Sequence, residues 1–169
     1  MRDRHLVLTG FMGSGKTTVG RILAQRLGRR FVDTDDEIVA RLGASIPEIF
    51  ARYGEEEFRR VEAQVCQELS AQSEPLVIAL GGGALLNAET RQKLEERAII
   101  FSLACDLGEI LRRLGKGEDR PLYSGNRENL ERLLESRRVI YMRYPQIDTT
   151  FRTPEAVANA ILDLWKQYH

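Results

Sequence analysis

The sequence predicts an α/β fold, with a central parallel sheet of about five strands and helices on both faces. Two observations predict it. Short apolar runs alternate along the chain with stretches of helical periodicity, the mark of parallel strands joined by crossover helices. Several of the helical stretches also carry their own start or stop residues. The chain of 169 residues fits one domain, 1–169, that can bury a core without metals or disulfides.

The elements follow in order. Leu6-Val7-Leu8 reads as a buried strand, and Thr17 to Leu27 as a helix with Val19, Ile22, Leu23 and Leu27 on one face, ended by Gly28. Phe31-Val32 is a second strand that breaks into Asp33-Thr34-Asp35-Asp36, from which a helix runs to about Leu42 and closes at Gly43. Ser45-Ile46-Pro47-Glu48 has the form of a capping box with an early proline. Phe58, Val61, Val65 and Leu69 then mark the face of a longer helix. Leu76 to Leu80 is the most continuous buried strand and stops at Gly81-Gly82-Gly83. Asn87 is placed to cap the next helix, Ile99-Ile100-Phe101 is a strand, and Asp106 is placed to cap another helix. The segment from Gly115 to Arg127 is polar except for Leu122 and Tyr123, and reads as a mobile loop. Leu130 to Tyr144 reads as helix, a short strand falls near Ile147, and Thr153-Pro154-Glu155 opens the last helix.

Composition excludes several functions. Hydrophobic residues make up 43% and charged residues 30%, with 25 basic side chains against 25 acidic ones. A nucleic-acid binder usually carries a basic excess, so nucleic acid is not expected as a partner. No apolar run is long enough for a membrane span, and no signal-peptide core follows Met1. Cys66 and Cys105 are far apart in apolar surroundings and are expected to be buried free thiols in a reducing compartment. The expectation is a soluble cytoplasmic protein, monomeric, with small-molecule partners.

Gly10-Phe11-Met12-Gly13-Ser14-Gly15-Lys16-Thr17 matches G-x-x-x-x-G-K-[ST] at every fixed position. Such glycines let the backbone curl until successive N–H groups point into one concavity that suits phosphate oxygens. The following helix adds its positive end. Lys16 is then placed for the β- and γ-phosphates and Thr17 for Mg²⁺, with Lys16 expected to stand exposed in the unliganded loop. The motif points to a nucleoside triphosphate without saying what is phosphorylated.

The acceptor site of a parallel sheet lies at the carboxyl ends of other strands, and three segments qualify. Carboxylates of Asp33-Thr34-Asp35-Asp36 can hold Mg²⁺ through water or accept a hydrogen bond from an alcohol, while ordinary helix capping explains the segment equally. In Phe58-Arg59-Arg60-Val61-Glu62, Arg59 and Glu62 sit three apart on the flank of the apolar stripe. An arginine held by a glutamate there is prepared for a carboxylate, and a surface ion pair of little worth is the alternative. Gly81-Gly82-Gly83 either offers backbone N–H groups at close range or makes a tight turn. Arg120, in the loop, and Arg137, on the helix after it, each read alone as solvated charges.

Taken together these segments resemble the shikimate kinases of the nucleoside-monophosphate-kinase-like P-loop group. The similarity rests on G-F-M-G-S-G-K-T-T, D-T-D at 33–35, G-E-x-x-F-R-x-x-E from Gly54 to Glu62 and G-G-G-A at 81–84. It continues through R-P-L at 120–122 and an arginine, Arg137, four residues before Tyr141. It spans about Leu6 to Leu164. The resemblance implies a three-layer P-loop kinase fold with a mobile lid at about 115–127. It implies ATP as co-substrate, Mg²⁺ as cofactor, and shikimate as acceptor. It implies Lys16, Asp35 and Arg120 as catalytic residues. Asp35, Arg59, Gly81, Gly82 and Arg137 would bind shikimate. Gly13, Ser14, Gly15, Lys16, Thr17, Thr18, Arg113, Arg120, Arg152 and Pro154 would bind ATP. Thr17, and Asp33 through water, would serve the metal, and Glu62 would orient Arg59. The neighbouring Arg138 leaves open which arginine faces the substrate, with the spacing to Tyr141 favouring Arg137. Gluconate and nucleotide kinases of similar size are the rival enzymes; a nucleotide-binding regulatory module is the rival of another class.

Overall fold

The computed structural model describes residues 3–115 and 127–168. Five parallel strands lie in the order β2-β3-β1-β4-β5. They are β1 (His5–Gly10), β2 (Phe31–Asp33), β3 (Val77–Ala79), β4 (Ala98–Ala104) and β5 (Gln146–Asp148). The helices are α1 (Lys16–Leu27), α2 (Thr34–Leu42), α3 (Ile46–Ser70), α4 (Ala88–Arg97), α5 (Leu107–Leu114), α6 (Arg127–Tyr141) and α7 (Pro154–Trp165).

Strand periodicity sorts the core into two layers, because successive side chains point to opposite faces. Val7, Ile78 and Ile100 pack with Ile38 of α2, Phe58, Val61 and Val65 of α3, and Leu94 of α4. Their neighbours Leu6, Leu8, Val77, Ile99 and Phe101 pack on the other face, against Val19 and Leu23 of α1 and Val157 and Ile161 of α7. A third cluster joins Phe11 to Ile110 and Leu114 of α5 and to Leu130 and Tyr141 of α6. It underpins the phosphate loop from the carboxyl edge of the sheet. Fully buried apolar side chains each contribute about 1.5–3 kcal/mol relative to exposure, so both faces of β1 and β4 anchor the site above them.

The expected caps are present. Ser45 and Glu48 form the reciprocal capping box, and Asn87, Asp106 and Thr153 each accept a backbone N–H at a helix start. Three expectations change in detail. The capping-box helix and the longer helix after it run together as α3, with a break at Gly54, whose φ is 81°. The helix expected to reach Tyr144 ends at Tyr141, since Pro145 biases Tyr144 away from helical backbone and Gln146 Nε2 donates to the Tyr141 carbonyl at 2.5 Å. Cys66 is buried as expected, whereas Cys105 is only half-buried beside the phosphate-loop cluster. No helix among the described residues is long and apolar enough to cross a membrane.

Candidate active site

The phosphate loop closes tightly at the end of β1. Gly13 and Gly15 hold φ of 76° and 99°, values that side chains resist. A Cβ at Gly10 would meet the Leu103 carbonyl oxygen at 2.5 Å, so the loop is drawn onto β4. The Ser14 side chain is buried and its hydroxyl finds no partner among the described residues. Lys16 differs from expectation: it is half-buried, and Nζ donates to the carbonyls of Gly10 at 2.6 Å and Phe11 at 3.0 Å. The loop curls so tightly that its own carbonyls come within reach of the ammonium.

Asp33 satisfies both readings of its segment at once. Oδ1 caps α2 by accepting the Asp35 and Asp36 N–H groups at 2.9 and 3.3 Å, while Oδ2 accepts the Thr17 hydroxyl at 2.7 Å. This ties the start of α1 to the end of β2. Burial raises the neighbouring Asp36 carboxyl above its ordinary range, reinforced by the charge of Asp33 and opposed by Arg21. The oxygen donors at Thr17 and Asp33 suit Mg²⁺, which keeps most of its waters and takes few protein ligands. Among the described residues no cluster of three or more His, Cys, Asp or Glu side chains could hold a metal by itself.

Beyond the loop lies a cleft of about 440 Å³ whose lining includes Lys16, Thr17, Asp35, Arg59, Glu62 and Arg137. The glycine triplet is its floor, and steric crowding explains all three glycines. A Cβ at Gly81 would stand 2.8 Å from an Asp35 carboxylate oxygen and 2.9 Å from Glu62 Oε2. At Gly82 it would stand 2.9 Å from Arg137 Nη1, and at Gly83 2.7 Å from Arg59 Nη1. None of the three has a positive φ, so the need is for space rather than for an unusual backbone. The Gly81 N–H is already used, donating to Thr34 Oγ1 at 2.9 Å. Gly81 therefore contributes floor, not the donor its place in the motif suggested.

Both arginines are held in place. Arg59 Nη1 donates to Glu62 Oε1 at 2.7 Å, and its guanidinium lies 5.2 Å over the Phe58 ring. Glu62 is 3% exposed, so this is not a surface pair. Burial pushes its carboxyl upward, against the pull of Arg59. Arg137, expected alone to be solvated, is 4% exposed and lies 5.9 Å over the Phe11 ring of the phosphate loop. Arg138 points away, exposed and paired with Glu135, so the cleft takes Arg137. Tyr141 donates to the Gly82 carbonyl at 2.6 Å, and burial pushes its hydroxyl pKa up to about 12.

Not every expected residue lines the cleft. Thr18 and Gly13 do, while Arg113, Arg152 and Pro154 do not. Arg113 instead braces the loop, donating to the Gly13 carbonyl and to the Thr149 carbonyl, both at 3.0 Å. Its partner Glu109 is drawn down to about 2, first by its hydrogen bonds to Arg112 and then by those to Arg113. Arg152 spends its guanidinium on the Asp148 and Ala156 carbonyls. Arg120 and most of the lid, 116–126, lie outside the described residues. Sequence reasoning missed Met12, Ile46 and Phe50 in the cleft wall and Phe11 under Arg137. Ile46 sits in the recognised capping box, but nothing local says which way that helix turns its apolar face.

A phosphate-binding loop on the central strand, opening into a cleft that pairs carboxylates with two fixed guanidinium groups, defines a small P-loop kinase. The chain belongs to the shikimate kinase family, whose model, described as Shikimate kinase, matches residues 12–166. It is 42% identical over 168 residues to the shikimate kinase of Geobacter sulfurreducens, covering 98% of this chain and 92% of that one. It superposes with a TM-score of 0.92 on a solved shikimate kinase from Acinetobacter baumannii in complex with shikimate, at 38% identity, covering 98% and 94% of the two chains. A gluconokinase from Sinorhizobium meliloti superposes at 0.58 with 19% identity over the full length of both chains, a likeness of fold alone.

Proposed function

We propose that this chain transfers the γ-phosphoryl group of ATP to the 3-hydroxyl of shikimate, giving shikimate 3-phosphate and ADP on the route to chorismate and the aromatic amino acids. One observation carries the reading beyond family membership: two guanidinium groups stand over the consecutive glycines Gly82 and Gly83, with the Asp35 carboxylate over Gly81. That spacing suits a compact acceptor with a carboxylate at one end and hydroxyls at the other. Arg59 and Arg137 bind the carboxylate as planar forks. Asp35 accepts a hydrogen bond from the reacting hydroxyl and orients it, and Gly81 and Gly82 let the ring approach the backbone.

Phosphoryl transfer passes through a loose transition state, so positioning and charge neutralisation matter more than a strong base. Gly13, Ser14, Gly15, Lys16, Thr17 and Thr18 cradle the phosphates. Lys16 exchanges its loop carbonyls for phosphoryl oxygens, and Arg120 arrives with the lid to neutralise the moving charge and exclude water. Mg²⁺ would be held by the Thr17 hydroxyl and, through water, by Asp33, and would supply charge stabilisation across the phosphates. Arg113, Arg152 and Pro154 flank the adenine side. On this reading the protein is one domain, 1–169, with a lid at about 115–127, working as a cytoplasmic monomer on small molecules, without nucleic acid or membrane partners.

The test is ADP release with shikimate, gluconate and AMP offered side by side. Mg²⁺- and ATP-dependent turnover with shikimate should far exceed the others. Equal turnover with gluconate or AMP sinks the acceptor assignment, and acceptor-independent hydrolysis alone would indicate a regulatory module.

A further inference from the structure

The two guanidinium groups of the cleft are held in different ways. Arg59 is held by anions: Nη1 donates to Glu62 Oε1 at 2.7 Å, and Glu55 stands 3.8 Å from Nε. Arg137 is buried more deeply, at 4% exposure. Yet among the described residues no carboxylate comes within ion-pair distance of it, and its Nε finds no hydrogen-bond partner. A buried cation ordinarily needs pairing. What stands around Arg137 instead is the Phe11 ring, at 5.9 Å, and the hydroxyl of Tyr141.

Tyr141 lies four residues after Arg137 and so shares its face of α6. Its ring is buried among Phe11, Ile110, Leu114 and Leu130, and its own carbonyl at the helix end accepts Gln146 Nε2 at 2.5 Å. The ring is therefore fixed, and its hydroxyl donates to the Gly82 carbonyl at 2.6 Å. A phenol has one proton to give; with that proton committed, the oxygen is left to accept. Arg137 supplies the donor. A Cβ at Gly82 would stand 2.9 Å from Arg137 Nη1 and 3.2 Å from Tyr141 Oη, so both groups converge over one glycine. Burial pushes the Tyr141 hydroxyl up to about 12, while the charge and hydrogen bond of Arg137 oppose this.

A neutral partner has a consequence that a carboxylate would not. A carboxylate beside Arg137 would orient the guanidinium and also cancel its charge. A hydroxyl orients it and leaves the positive charge for an incoming anion. The same hydroxyl holds the peptide plane that joins Gly82 to Gly83, so one group sets both the fork and the floor beneath it. Tyr141 does not itself line the cleft, whereas Arg137 and Gly82 do.

We propose that Tyr141 is a positioning residue of the acceptor site, its hydroxyl setting Arg137 and the Gly82 peptide together to receive the acceptor's carboxylate. The inference rests on the reading of shikimate as acceptor. The full-length chain is assayed by steady-state kinetics as wild type, Tyr141→Phe, Arg137→Lys and the double variant, and each is melted. Phenylalanine keeps the ring and its packing, so Tyr141→Phe should still melt in one cooperative transition. Its shikimate KM should rise about fivefold, the scale of one lost hydrogen bond, with kcat and the ATP KM within about twofold of wild type. In the Arg137→Lys background the fork is already gone, so adding Tyr141→Phe should change the shikimate KM by less than about twofold. An unchanged shikimate KM in Tyr141→Phe overturns the proposal, as does the same rise in both backgrounds. Loss of the cooperative melt, or an equal rise in the ATP KM, also overturns it, since Tyr141 would then serve the packing under Phe11 and not Arg137. Failure of the acceptor assignment is distinct, for it would appear as absent shikimate turnover in the wild type.

Discussion

Replacing Glu62 by glutamine should separate stability from acceptor binding. Glu62 is buried, and burial raises its carboxyl pKa despite the Arg59 partner. An acid whose folded pKa lies above its unfolded value binds more protons when folded, so its contribution to stability falls as pH rises from about 4.5 through the folded value. Burial thus works against the ionised form, a burden on the fold, because removing a carboxylate from water costs several kcal/mol before its partner repays any of it. Glutamine has nearly the same shape and no charge. It removes that burden and keeps an oxygen for Arg59, but the hydrogen bond no longer joins two ions and is weaker. Arg59 is then less firmly held, and about 1 kcal/mol of its preorganisation is lost, a factor of about five in binding. Urea denaturation at pH 7 should therefore show Glu62→Gln as stable as the wild type or more so, while the shikimate KM rises about fivefold with a smaller change in kcat. A variant destabilised by more than about 2 kcal/mol with an unchanged KM would refute the reasoning, since Glu62 would then serve the fold and not Arg59.

Lys16→Ala should lower kcat by roughly a hundredfold or more, the scale of losing one preorganised charge at the transferring group; near-normal kcat with only weaker ATP binding would contradict that role. Gly82→Ala places a methyl 2.9 Å from Arg137 Nη1 and 3.2 Å from Tyr141 Oη. It should cost about 1–3 kcal/mol in urea melts through overpacking and raise the shikimate KM, and a normal KM would show that Arg137 can move without consequence. His5 is buried, accepting the Leu76 N–H on Nδ1 at 3.0 Å, with Nε2 3.3 Å from the Ser70 carbonyl. Burial holds its pKa below 6.5, the Ser70 hydrogen bond opposes this, and Arg97 and Arg29 lower it further. Its stabilising effect should be complete above pH 6.5 and fade as pH falls through the folded value. The wild type should accordingly lose more stability than His5→Gln between pH 7 and pH 5, and parallel losses would show that His5 is not the group responsible.

Local chemistry made much of this protein legible in the chain itself. Apolar runs, caps and terminating glycines depend on neighbours a few residues away, so the strand–helix alternation, the capping box at Ser45 and the phosphate loop could be read directly. The D-T-D, F-R-x-x-E and G-G-G segments pointed to the family because their combination is rare, although each alone had an ordinary explanation. What the tertiary structure decided depends on groups distant in sequence coming within 3 Å of one another. It placed Arg137 over Phe11 and Gly82 and left Arg138 in water, a choice that the spacing to Tyr141 favoured without settling. It buried Glu62, turning an apparent surface pair into a clamp, and let one Asp33 side chain both cap α2 and hold Thr17. It showed the Gly81 N–H already committed to Thr34, and Phe151 in left-handed backbone. Sequence records which groups are available; only packing sets the distances and burial on which their charge, orientation and use depend.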